Sequence, residues 1–214
     1  MRIGILGSGL MGGKLGTILA RAGHEVVFSY SRSERKLERL ARQAKGKARA
    51  GTPREAAQCD AVLLAVHWLR LDDVLSQAGR LAGKVVLTCS LPMNKDDTAF
   101  AISHGKSSGA EALARKAPGA RVVAAFNSVP SEVLFDVYAG RRKASRPSLV
   151  YCSDDTGAKR VAARLIRDVG FEPLDAGPLR VARYMEPFGL LVAQLAYEGR
   201  GGPRLAYRFE RKGR

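Results

Sequence analysis

The sequence has few cysteines, few acids and no long apolar run. Cys59, Cys89 and Cys152 are odd in number and far apart, which excludes a disulfide framework or a cysteine zinc site and fits reduced, mostly buried thiols. No segment is apolar for long enough to cross a bilayer, so no membrane partner is expected. Met1–Gly7 shows neither an extended apolar stretch nor a small-residue cleavage pattern, and the protein is expected to be cytoplasmic. The histidines form no metal-spaced pair, and Ser8, Ser90 and Ser128 stand in no G-x-S-x-G frame. No bound metal, hydrolytic nucleophile or catalytic side chain is therefore expected. Asp and Glu number 20 against 36 Lys and Arg, for a net charge of +16. The excess is +7, +3 and +6 over residues 1–60, 61–130 and 131–214, with one tight cluster at Arg141-Arg142-Lys143 and Arg146. A nucleic-acid-binding arm would concentrate it, so nucleic acid is not an expected partner. A dispersed positive field suits ligands that carry several phosphates.

What the chain does have is a regular alternation of strand-like and helix-like segments. Arg2–Leu6, Glu25–Tyr30, Ala48–Gly51, Ala61–Val66, Lys84–Cys89 and Ala120–Phe126 read as strands, several apolar throughout as in a buried parallel sheet. Between them Leu10–Ala22, Glu34–Ala44, Pro53–Gln58, Val74–Leu81 and Ser108–Lys116 read as helices. Further on come the strand Leu149–Ser153, the helix Gly157–Val169, the apolar helix Val181–Tyr197 and an alternating terminal edge strand, Leu205–Phe209. Strand–helix–strand units with short connections predict an α/β protein with a doubly wound, mostly parallel sheet of five or six strands.

Gly7-Ser8-Gly9-Leu10-Met11-Gly12 matches G-x-G-x-x-G, directly after the first predicted strand and opening the first predicted helix. Gly7 makes the tight turn, Gly9 lets a pyrophosphate approach the backbone, and Gly12 lets helix and strand pack closely. Free N–H groups at the helix start bind the anion. The expected domain is thus a Rossmann NADP-binding domain over residues 1–178, with a small C-terminal α/β extension over residues 179–214 packed on it. Which nucleotide binds is read at the end of the second strand. An NAD site wants a carboxylate there for the ribose 2′-OH, but the stretch is Ser29-Tyr30-Ser31-Arg32-Ser33, with Arg35 and Lys36 following. A hydroxyl and cations suit a 2′-phosphate, so NADP(H) is expected.

Ligands of such sheets bind beyond the carboxyl ends of the strands. That rule points to Val66-His67-Trp68, to Ser90-Leu91-Pro92 and to Asn127-Ser128-Val129-Pro130. Trp68 reads equally well as packing between helix and sheet. A carbonyl reductase would need a proton donor such as Tyr or Lys, and none is well placed. Hydride transfer between two aromatic rings needs only that they be held face to face with water excluded.

The chain resembles the NADP-dependent oxidoreductases that use coenzyme F420, a deazaflavin hydride carrier. The likeness lies in Met1–Gly12, in Ser31-Arg32 with Lys36, and in Ala124-Ala125-Phe126-Asn127-Ser128-Val129-Pro130. It continues in Asp175-Ala176-Gly177-Pro178-Leu179 and Ala182-Arg183-Tyr184-Met185-Glu186. The resemblance implies a homodimer whose partners are small-molecule cofactor substrates, with hydride passing between NADP(H) and F420. It implies that Gly7, Ser8, Gly9, Leu10, Met11 and Gly12 hold the pyrophosphate, and that Ser31, Arg32 and Lys36 hold the 2′-phosphate. Val66, His67, Trp68, Pro92 and Asn127 would surround the ring pair, and Arg183 would contact the deazaflavin or its acidic tail. Where hydroxyl side chains are expected after that arginine, this chain has Pro187, Phe188 and Gly189. Another acceptor (a flavin, a quinone or a ferric chelate) and a non-catalytic NADP-binding module stay open as alternatives.

Overall fold

The structure, a computed structural model, describes residues 1–102 and 105–212. Strands β1 (Arg2–Leu6), β2 (Glu25–Ser29), β3 (Ala48–Ala50), β4 (Ala61–Leu64), β5 (Val85–Thr88) and β6 (Arg121–Ala124) form one parallel sheet in the order β3-β2-β1-β4-β5-β6. This is the Rossmann order. The chain winds outward from β1 in one direction and from β4 in the other, so a crevice opens beyond the carboxyl ends of those two strands.

The two-residue period of the strands divides the core. Ile3, Ile5, Ala61, Leu63, Val85, Leu87 and Val123 face one side. There they meet Leu15, Ile18 and Leu19 of α1 (Leu10–Arg21), Leu37 of α2 (Glu34–Ala44), Leu134 and Val137 of α6 (Leu134–Ala139), and Leu165, Ile166 and Val169 of α7 (Thr156–Val169). Leu6, Val62, Leu64, Val86, Val122 and Ala124 face the other side. Their partners are Ala56 and Ala57 of α3 (Pro53–Ala57), Leu71 and Val74 of α4 (Leu71–Ala78), Leu113 of α5 (Gly109–Lys116) and Met185 of α8 (Ala182–Ala193). Each such large side chain contributes about 1.5–3 kcal/mol on burial, so the sheet is held from both faces.

A second, two-stranded parallel sheet pairs β7 (Ser148–Tyr151) with β8 (Glu172–Asp175) across α7. One antiparallel bridge, Ala124 to Cys152, joins it to β6. The expected strand Leu205–Phe209 is an extended segment without a ladder. Ser148 N–H donates to Tyr207 O at 2.8 Å, and Phe209 N–H to Ser148 Oγ at 3.0 Å. Its alternation has another cause: Tyr207 and Phe209 turn one face to Phe188 of α8, at ring distances of 5.0 and 6.1 Å. Among the described residues no helix is long and apolar enough to cross a membrane.

Candidate functional site

The chain must turn from β1 into α1 within three residues. Gly7 does so at φ +107°, where a Cβ would stand 2.4 Å from the Ala65 carbonyl oxygen. A Cβ on Gly12 would lie 1.9 Å from the Gly7 carbonyl oxygen, so only glycine lets α1 come this close to β1. Gly9 is the contrast, because a Cβ added there would meet nothing within 4 Å. It borders a groove of about 1010 Å³ that runs from the glycine turn past Ser31–Lys36. Gly9 supplies no side chain to cap α1, and the first turn holds no acid. Ser33, Ser108 and Asp155 cap α2, α5 and α7. The first helical bond of α1 runs from Gly13 N–H to Gly9 O at 2.9 Å, which leaves the amides before it without helical acceptors. The positive end of α1 therefore faces the groove uncompensated. Both Ser8 donors are taken within the protein: its hydroxyl donates to Ser29 O at 2.9 Å and its N–H to Tyr30 O at 3.4 Å.

Ser31, Arg32 and Lys36 line the same groove, and among the described residues neither cation is in an ion pair. Tyr30 carries the chain outward at φ +55°, rare for an aromatic residue. Its phenol donates across the groove to Asp73 of α4. Burial first, and then this bond, push the phenol up to about 12, so it stays a donor. Arg70 and Gln77 complete that wall. None of these three is marked by the glycine motif or by strand-end position.

At Ala65, Val66 and His67 the groove meets a second cavity of about 360 Å³. Leu10 and Met11 line this cavity, not the groove, so the glycine motif straddles the two. The other walls come from Cys89–Leu91 after β5, from Phe126–Asn127 and Val129–Ser131 after β6, and from Gly189, Val192 and Tyr197. Asn127 is only 7% exposed, yet among the described residues neither its amide nitrogen nor its amide oxygen has a partner. An unpaired buried polar group costs about 1–3 kcal/mol, so this amide is suited to a ligand that offers both a donor and an acceptor. Phe126 before it holds φ +64°, a strained value for a bulky residue, and aims the turn. A Cβ on Gly189 would lie 2.5 Å from the Asn127 carbonyl oxygen. With α8 in this place, a hydroxyl side chain does not fit there.

His67 stands at the junction. Its Nδ1 accepts from Leu69 N–H at 3.2 Å, so Nε2 carries the hydrogen toward Asp97 Oδ1 at 3.0 Å. Burial pushes the Cys89 thiol well up. Tyr197 lies on a π turn, Gln194–Glu198, closed by Gly199 N–H to Gln194 O at 3.2 Å. Its hydroxyl donates to Glu132 at 2.9 Å, and burial followed by that bond pushes it up to about 12.

Four expected residues line neither cavity, the first being Gly12, which is buried where α1 meets the Gly7 carbonyl. Trp68 packs with Val66 and Leu75 against the core on the α4 side. Pro92 is buried against the start of α5, its ring 3.2 Å from where a Gly109 Cβ would lie. Arg183 forks onto Glu111 at 2.8 and 2.7 Å, which holds the Glu111 carboxyl below its ordinary value. One turn on, buried Glu186 accepts from Gly109 N–H at 2.9 Å and Ala110 N–H at 3.0 Å. These contacts fasten α8 to α5.

Comparison with known proteins agrees with this geometry. The rat metalloreductase STEAP3 is 33% identical over 190 residues, which make up 88% of this chain and 36% of that protein. The chain thus spans about a third of the length of this curated relative. A solved structure from Arthrobacter sp. FB24, assigned provisionally as an F420-dependent NADP reductase, superposes with a TM-score of 0.83 at 22% identity and covers 98% of this chain and 99% of its own. An Aspergillus terreus reductive aminase solved with NADPH and ethyl levulinate gives a TM-score of 0.65 at 18% identity, over 90% of this chain and 60% of its own. Both show the shared fold. Residues 2–92, which hold β1–β5 and the groove, match the family described as NADP oxidoreductase, coenzyme F420-dependent.

Proposed function

We propose that the protein transfers hydride between NADP(H), lying along the groove, and coenzyme F420, its ring in the apolar cavity. The observation that carries this reading is the unpaired Asn127 amide, buried in the wall of the cavity that meets the groove. When bound, NADPH would supply the hydride to the acceptor, and water one proton. The chain's own residues bind and orient. The amides at the start of α1 hold the pyrophosphate, while Ser31, Arg32 and Lys36 hold the 2′-phosphate. Asn127 offers its donor and acceptor to a ring amide, and Val66, Met11 and Val192 exclude water from the ring faces. In this reading residues 1–178 are the nucleotide domain and residues 179–214 the extension that closes the cavity. Gly213 and Arg214, at its end, lie outside the described residues.

A second reading, transfer to a flavin or a ferric chelate, draws on the identity with the metalloreductase. One experiment separates them. NADPH is mixed with oxidised F420, FMN or ferric citrate, with NADH as the control donor. Loss of deazaflavin absorbance with NADPH supports the first reading. NADPH oxidation only with FMN or ferric citrate replaces it with the second. NADPH binding without turnover of any acceptor rejects both.

A further inference from the structure

Lys14 lies on α1, three residues beyond Met11 of the cavity wall. Its ammonium donates to Ser131 O at 3.0 Å and to Ser131 Oγ at 3.2 Å, both in part-buried surroundings. Among the described residues no carboxylate pairs with it. A half-buried cation held by neutral oxygens alone keeps its charge uncompensated, an arrangement that favours an anion nearby. Ser131 is itself 6% exposed and lines the cavity. Its oxygen accepts from Lys14, so its hydroxyl hydrogen is free to donate to a ligand. The adjacent carboxylate, Glu132, is turned to the Tyr197 hydroxyl. Lys14 lines neither the groove nor the cavity, and reaches the cavity wall through Ser131.

We propose that Lys14 and Ser131 form an anion subsite at the edge of the apolar cavity. It takes a phosphate or carboxylate carried on the side chain of the ring that enters there. The proposal rests on the reading of this cavity as the hydride acceptor's site. Lys14 is then a specificity residue: it sorts acceptors by the charge they carry away from the ring, without touching the reacting atoms.

The test is the dissociation constant of the NADP⁺-loaded protein for two ligand pairs, FMN with riboflavin and F420 with its dephosphorylated, riboflavin-level deazaflavin. Ligand fluorescence at low salt gives the reading. The wild-type protein binds the charged member of at least one pair roughly ten-fold more tightly, as one charge-assisted contact allows. Lys14→Met brings that ratio close to one and leaves the neutral member and NADP⁺ unchanged. Lys14→Arg restores it. Ser131→Ala, which keeps the cation, narrows the ratio and gives a second reading should Lys14→Met fold poorly. If the flavin pair behaves this way and neither deazaflavin binds, the F420 reading fails and the subsite stands. Equal affinities in the wild-type protein, a ratio that survives Lys14→Met, or no binding of any of the four ligands overturns it.

Discussion

Replacing Gly9 by alanine separates nucleotide binding from folding. Gly9 has φ −78°, open to any residue, and an added methyl group meets no protein atom within 4 Å. Two small effects on stability oppose each other. Alanine at a helix N-cap costs about 0.5–1 kcal/mol relative to glycine. Restricting the unfolded chain returns about 0.4–1 kcal/mol. The expected change in melting temperature is within about 3 °C for a chain of this size. Binding is another matter, because the methyl group occupies the space in which a pyrophosphate meets the amides of α1. Loss of one charged hydrogen bond, about 1.5–3 kcal/mol, raises the NADPH dissociation constant roughly ten- to hundred-fold. The single tryptophan, Trp68, follows His67 of the groove wall and reports binding by fluorescence; calorimetry gives the stability. Gly12→Ala is the control, since its methyl group would collide with the Gly7 carbonyl and should lower stability as well. Unchanged NADPH affinity in Gly9→Ala would refute the placement of the pyrophosphate.

Three further outcomes are expected. Arg32→Glu weakens NADPH binding and shifts the NADPH-to-NADH affinity ratio by roughly ten-fold or more toward NADH, because a phosphate contact is exchanged for a carboxylate; titration with both nucleotides checks it, and an unmoved ratio counts against the 2′-phosphate site. Asn127→Leu removes an unpaired buried amide, so the melting temperature holds or rises, by up to about 1 kcal/mol of stability, while hydride transfer falls at least roughly ten-fold; parallel melting and steady-state assays decide it. Arg183→Met lowers the melting temperature at neutral pH without changing NADPH affinity, and the sign of its pH dependence is fixed. Arg183 depresses the Glu111 pKa in the folded protein, so the stabilisation is present above the unfolded glutamate value and fades as pH falls through the lower folded one. Melting curves of both proteins should therefore converge on acidification below about pH 4.

Much of the fold was legible in the residues because buried parallel strands are largely apolar, as in Ala61–Leu64 and Val85–Thr88. The glycine turn was legible because each glycine answers a different steric demand. What was lost had weak local signals. β8, Glu-Pro-Leu-Asp, has a proline and two acids and owes its extended form to pairing with β7. The short helix α6 follows a 3₁₀ turn and has no side-chain cap to announce it. The helix expected at Val74–Leu81 begins three residues earlier, behind a 3₁₀ turn at Trp68–Arg70, and stops before Gly79 at φ +75°. In the candidate site, strand-end position pointed to Asn127 and His67 but carried no information on hydrogen bonding. That the Asn127 amide is unpaired, and that Arg183 is spent on Glu111, depends on contacts between segments dozens of residues apart.

The two cavities draw on the chain differently. The groove is lined by residues between Gly7 and Gln77, whereas the apolar cavity needs residues from Leu10 through Tyr197. Inheritance can therefore act on them separately. A lineage could exchange its electron acceptor by altering the turn after β6 and the inner face of α8, with no residue of the nucleotide groove disturbed. Descendants of one ancestor would then share a cofactor and differ in what they reduce.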